Sequence, residues 1–159
     1  MELTIDHIAS EIMCWCAKDS NSFKNYLNVQ DGWERKALED IKNLFNKQSG
    51  KLMVKDYEPV YNSTDKVDLY FNPNTLNPEK RILAEVICEA AESTEKYNKK
   101  IGYEIKKLDK ENLKDEYKDA TKYLISMYHN LYNRSFLHEN NFIEIFNNME
   151  IGCAIKRIK

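Results

Sequence analysis

The sequence predicts an α/β domain, with α+β as the alternative: a central mixed sheet with helices on its faces. Three observations predict it. Apolar residues recur at helical spacing over about residues 6–18 and again over about 33–47. Two short apolar runs follow, KVDLYF at 66–71 and RILAEVIC at 81–88, joined by the turn-rich NPNTLNP. Helical and strand-like segments then alternate to the end, the pattern of a sheet covered by helices.

Taken in order, the first helix rests on Ile5, Ile8, Ile12 and Cys16, with Ala9 and Met13 beside them. Asp19–Asn21 reads as a turn, and Ser22 suits the cap of a short piece around 23–27. Asp31 suits the N-cap of the second helix, whose buried face is Trp33, Ala37, Ile41, Leu44 and Phe45 and which stops at Ser49-Gly50. Residues 51–54 and 60–61 read as a strand bent near Pro59. Beyond Ala91 a helix carries Ile101, Ile105, Leu108 and Asn112 on one face and continues with dense charge to Asp119. The short run at 122–128 is rich in β formers and predicts a strand. A last helix is expected over about 134–149, presenting Leu137, Phe142, Ile145 and Phe146, and a last strand over 151–158.

The 159 residues are 42% hydrophobic, enough for one core, so a single domain over 1–159 is expected. Charged residues, at 31%, are well mixed, and the net charge of −2 excludes a global basic footprint, leaving a local basic cleft as the route to nucleic acid. The four cysteines, Cys14, Cys16, Cys88 and Cys153, have no zinc or redox spacing and are expected as buried reduced thiols. No apolar stretch approaches the roughly 20 residues of a membrane span. The expectation is a cytoplasmic protein that does not engage a membrane.

The chemistry concentrates at 66–89. Each strand carries one acid among apolar residues, Asp68 and Glu85, and a carboxylate in such a strand is costly to bury unless paired. Side chains alternate faces along a strand. Lys66, Asp68 and Tyr70 therefore share one face of the first strand, and Leu83, Glu85, Ile87 and Glu89 share one face of the second. In a hairpin, Asp68 and Glu85 converge. A carboxylate pair suits Mg²⁺ or Mn²⁺, hard cations that take oxygen ligands and keep several waters. Glu58, in YEPVY, is a candidate third carboxylate.

The run from Trp33 to Leu108 resembles the PD-(D/E)XK, or restriction-endonuclease-like, nucleases. Their pattern is a helix with a glutamate, a strand, a strand ending in Asp, a strand with Glu-x-Lys and a covering helix. The family Asp falls on Asp68, the family Glu on Glu85, and IGYEIKKLDK resembles the helix after the catalytic strand. The resemblance implies metal-dependent phosphodiester hydrolysis on DNA or RNA, with Asp68 and Glu85 as metal ligands. The sequence departs from the family at the lysine, where Ile87 stands on the face of Glu85. Lys66, on the face of Asp68, is the local replacement. The site is then degenerate. The alternative it implies is an inactive nuclease-fold protein acting on a protein partner, as an inhibitor or immunity module.

Other features read as structure. Glu104-Ile105-Lys106 is a literal E-x-K, but Ile101, Ile105 and Leu108 set it on a helix, as a solvated face. Trp15 and Trp33 lie on apolar stripes and are expected as core anchors. Arg134 and His138 share a helix without a second catalytic signal, and the lysines between 106 and 118 interleave with acids. The tail lysines and arginine, Lys156, Arg157 and Lys159, are candidate phosphate contacts. There is no Gly-rich phosphate loop; glycine occurs only four times.

Overall fold

A computed structural model describes residues 1–23, 25–26, 33–148 and 150–159. The chain forms α1 (Ile5–Phe23), α2 (Glu34–Ser49), β1 (Val54–Glu58), β2 (Val67–Phe71), β3 (Ile82–Cys88), α3 (Thr94–Lys107), β4 (Thr121–Tyr128), α4 (Leu131–Glu139), β5 (Ile143–Asn147) and β6 (Gly152–Ile158). The strands make one six-stranded sheet in the order β1-β2-β3-β4-β6-β5. The β3–β4 pair is parallel, joined across α3, and every other pair is antiparallel, so the sheet is mixed.

Strand parity divides the core in two. Ile82, Ala84, Val86 and Cys88 of β3, with Tyr123, Ile125 and Met127 of β4, pack beneath α1 and α2 against Ile8, Ile12, Trp15, Ala37, Ile41 and Phe45. Leu83 and Ile87, with Leu124 and Tyr128, face the opposite layer, where Tyr97 and Ile101 of α3 and Leu137 of α4 cover them. All seven residues of β3 are buried, because the strand is central and covered on both sides. Trp15 and Trp33 are buried as expected, and the Trp33 indole N–H donates to the Glu89 carbonyl at 2.8 Å.

Several expected boundaries differ. Asp19–Asn21 is not a turn but part of α1, held because Trp15 and Phe23, two turns apart, stack edge-on at 4.7 Å in the core. The expected short piece at 23–27 and the Asp31 cap fall largely outside the described residues, and Trp33 occupies the N-cap position of α2. Gly50 ends α2 in the left-handed region at φ 63°. The strand expected at 51–54 starts only at Val54, and Tyr61 makes an isolated bridge to Leu113 instead of extending it. The helix after Ala91 stops at Lys107; Leu108 caps it, and two single 3₁₀ turns follow, the first capped by the Asp109 carboxylate. The helix expected to reach 149 ends at Glu139, and Ile143–Asn147 is a strand. Asn141 at φ 65° turns the chain, and Phe142 then faces the α3 layer while Ile145 and Phe146 pack against the other. One helical stripe cannot serve both layers. Cys16, Cys88 and Cys153 are buried free thiols, whereas Cys14 is exposed, contrary to expectation. Among the described residues no helix is long and apolar enough to cross a membrane.

Candidate active site

The site forms where β2 and β3 stop pairing. Their register runs Phe71↔Ile82, Tyr70↔Leu83, Leu69↔Ala84 and ends there. One residue further it would set Asp68 opposite Glu85. The strands diverge at that point, which leaves two β3 amides without a strand partner. Carboxylates from two other elements take them. The Val86 N–H donates to Asp68 Oδ2 at 2.8 Å, and the Cys88 N–H donates to Oε1 of Glu34, in the first turn of α2, at 3.1 Å. Buried amides require partners, and here acidic side chains supply them.

Glu85 lies at the centre of this opening and is only 1% exposed. Its Oε1 accepts from the Tyr61 hydroxyl at 2.5 Å and lies 3.0 Å from Lys107 Nζ. Lys107 comes from the last turn of α3, is 14% exposed, and also faces Glu104 at 3.3 Å. Its ammonium stands 5.2 Å from the centroid of the Tyr61 ring. Glu85 Oε2 is buried and has no hydrogen-bond partner.

The electrostatics follow from burial around crowded acids. The Glu85 carboxyl is pushed up to about 9, first by desolvation, then by the charges of Asp68 and Glu104, with Lys107 opposing. Burial likewise raises Glu34 and Glu104. Burial raises the Tyr61 phenol too, and the Glu85 charge adds to the effect. Burial would lower Lys107, but the charges of Glu85 and Glu104 reverse this and hold it up. Two neighbouring carboxylates, one of them buried, are stabilised by something positive between them. A proton serves, as does a cation; the two compete for the same oxygens. An orphaned buried carboxylate oxygen beside a second carboxylate fits a hard divalent ion. Among the described residues no group of three or more His, Cys, Asp or Glu side chains is placed to hold a metal ion. A cation here would rest on the two carboxylates alone, with water completing the shell.

Of the residues singled out from sequence, Asp68 and Glu85 are brought together as strand parity predicts. Ile87 sits in the apolar layer under α3, 3% exposed. Lys66 is exposed, one residue before β2, and among the described residues no ion pair joins it to Asp68 or Glu85. Glu58 pairs across the ladder with Val67 and lies 3.7 Å from Lys55, away from the pair. Three residues were missed. Lys107 is the ammonium at Glu85, Tyr61 is its hydroxyl donor and Glu34 closes the sheet opening. For Lys107 a signal existed: Lys100 and Lys107 precede Ile101 and Leu108, buried residues seven apart, so both lysines border the buried stripe of α3. Glu104, read as a solvated face, is instead largely buried beside Lys107. Arg134 is held by Glu144 at 2.8 Å, and the Lys156 ammonium donates to the Asn140 carbonyl at 2.6 Å, so neither is free for phosphate. Compared with protein-family models, curated proteins and solved structures, the chain finds no match.

Proposed function

We propose that this chain is a restriction-endonuclease-like phosphodiesterase acting on nucleic acid, in which Asp68 and Glu85 hold Mg²⁺ or Mn²⁺ and Lys107 takes the part of the missing motif lysine. The observation that carries it is the ammonium of Lys107, 3.0 Å from Glu85 Oε1. A side chain from α3 thus supplies the charge that position 87 lacks.

When bound, the cation supplies Lewis acidity toward a phosphoryl oxygen and a more acidic water. The chain's own residues do the rest. Tyr61 donates to Glu85 and fixes the direction of that carboxylate. Lys107 balances the negative charge that Glu85, Glu104 and Asp68 concentrate, and its ammonium is the donor for charge developing on a phosphoryl oxygen in the transition state. Glu34 fixes the end of β3 beside the site by accepting the Cys88 N–H.

The test is calorimetric Mn²⁺ titration combined with a cleavage assay on labelled DNA and RNA. The native chain is expected to bind one Mn²⁺ and to cleave. Glu85→Gln should lose both, and Lys107→Met should retain Mn²⁺ but lose roughly 100-fold in turnover. Absence of Mn²⁺ binding by the native chain, or unchanged binding by Glu85→Gln, overturns the proposal.

A further inference from the structure

We infer that the cleft beside Lys107 is a subsite for one unstacked nucleotide of a single-stranded nucleic acid, with Tyr103 as its base-stacking platform; this rests on the phosphodiesterase reading of the Glu85 site. The cleft has a volume of about 340 Å³ and is lined by Tyr61, Asn62, Asp65, Tyr103, Lys106 and Lys107, among others. It is continuous with the site because Tyr61 and Lys107 belong to both. The Tyr61 hydroxyl and the Lys107 ammonium meet Glu85, and the same two residues form the inner wall of the cleft.

Helical spacing explains the outer wall. Tyr103 stands three residues before Lys106 and four before Lys107, so α3 presents an aromatic ring and the exposed Lys106 ammonium at the cleft, while the Lys107 ammonium turns inward to Glu85 and Glu104. Tyr103 is 58% exposed although most large apolar side chains of this chain are buried. An exposed aromatic face next to cations is what a nucleobase and its phosphate require together. The opposite wall is held in place. The Asn62 N–H donates to the Asn112 carbonyl at 2.8 Å, its side-chain amide donates to Glu111 and Leu113 carbonyls at 3.2 Å, and the Asn112 amide donates to the Lys106 carbonyl at 2.9 Å. The loop from Tyr61 is thereby tied to the turn after α3, and the cleft is formed before any ligand arrives.

The size and charge select a single strand over a duplex. The volume is at the small end for ligand clefts, which suits one nucleotide. A paired base cannot reach Tyr103 without leaving its stack. A duplex groove also presents many phosphates, and this chain offers one exposed ammonium at the cleft, that of Lys106, beside an acid at Asp65, with a net charge of −2.

The test is fluorescence anisotropy with labelled oligonucleotides of one sequence, as single-stranded DNA, single-stranded RNA and duplex DNA, bound to the native chain in Ca²⁺. Single strands are expected to bind at least roughly 10-fold more tightly than duplex. Tyr103→Ala should weaken single-strand binding by roughly 10- to 100-fold and Tyr103→Trp should restore it. Lys106→Ala should reduce the salt slope by about one phosphate. The relative affinity of the two single strands identifies the sugar. Equal affinity for duplex, or an unchanged Tyr103→Ala, overturns the subsite while leaving Mn²⁺-dependent cleavage as evidence for the underlying reading. Loss of single-strand binding in Tyr103→Ala, in a native chain that neither binds Mn²⁺ nor cleaves, upholds the subsite and overturns the phosphodiesterase.

Discussion

Replacing Glu85 by glutamine should change how stability depends on pH more than it changes stability at low pH. The carboxyl of Glu85 is raised from 4.5 to about 9. Between those values the folded chain keeps a proton that the unfolded chain has lost. A group with a raised folded pKa gives stability that is complete below its unfolded pKa and is lost as pH rises toward the folded one. The slope over this window is one proton, or about 1.36 kcal/mol per pH unit. From about pH 5 to about pH 8 the native chain therefore loses roughly 4 kcal/mol through this one group. Glutamine mimics the protonated carboxyl: its carbonyl still accepts from Tyr61 and Lys107. It has nothing to titrate. Relative to the native chain, Glu85→Gln should gain roughly 4 kcal/mol between about pH 5 and pH 8. Urea denaturation of both proteins in chelator, at several pH values, measures this difference, and titrating groups remote from Glu85 cancel in the comparison. Parallel pH profiles would refute the reasoning, since they would mean that Glu85 is ionised in the fold and that Lys107 outweighs burial.

Placing a lysine at position 87 should not create activity. Ile87 is 3% exposed among Leu83, Leu124 and Tyr128, so Ile87→Lys buries an ammonium in an apolar layer; urea denaturation should show a loss of more than about 2 kcal/mol, and the cleavage assay no gain. Gly152→Ala should cost about 1–3 kcal/mol, because its new Cβ would enter the Tyr128 ring, whose hydroxyl is held by Glu144; thermal denaturation reads this.

The sequence made the centre of the sheet legible because period two is a strong signal. Parity alone put Glu85 and Ile87 on one side of β3 and Ile82, Ala84, Val86 and Cys88 on the other, as the two core layers have them. It also brought Asp68 toward Glu85 without any knowledge of the register. What it could not supply was any partner whose position depends on packing between distant elements. Lys107 reaches Glu85 only because α3 crosses β3 at one particular height. Glu34 reaches Cys88 only because α2 begins at the end of that strand. The segment at 143–147 failed for a different reason. Leu137, Phe142, Ile145 and Phe146 satisfy a helical spacing, and only the left-handed turn at Asn141 reveals that the residues after it belong to a strand.

The two carboxylates that take the Val86 and Cys88 amides turn part of the sheet into an instrument. Here Asp68 is at once a wall of the site and a rung of the ladder, so its loss is mechanical as well as chemical. Alanine at 68 would strand the Val86 N–H, and any defect it showed would be ambiguous; asparagine keeps an acceptor for that amide and isolates the charge. The same coupling runs the other way. A cation settling on Asp68 would draw electron density from the oxygen that accepts the Val86 N–H, and whatever moves Glu34 tugs on Cys88. The nitrogen and proton shifts of these two amides are thus gauges built into the backbone, able to report occupancy of the opening in a spectrum taken without substrate and without turnover.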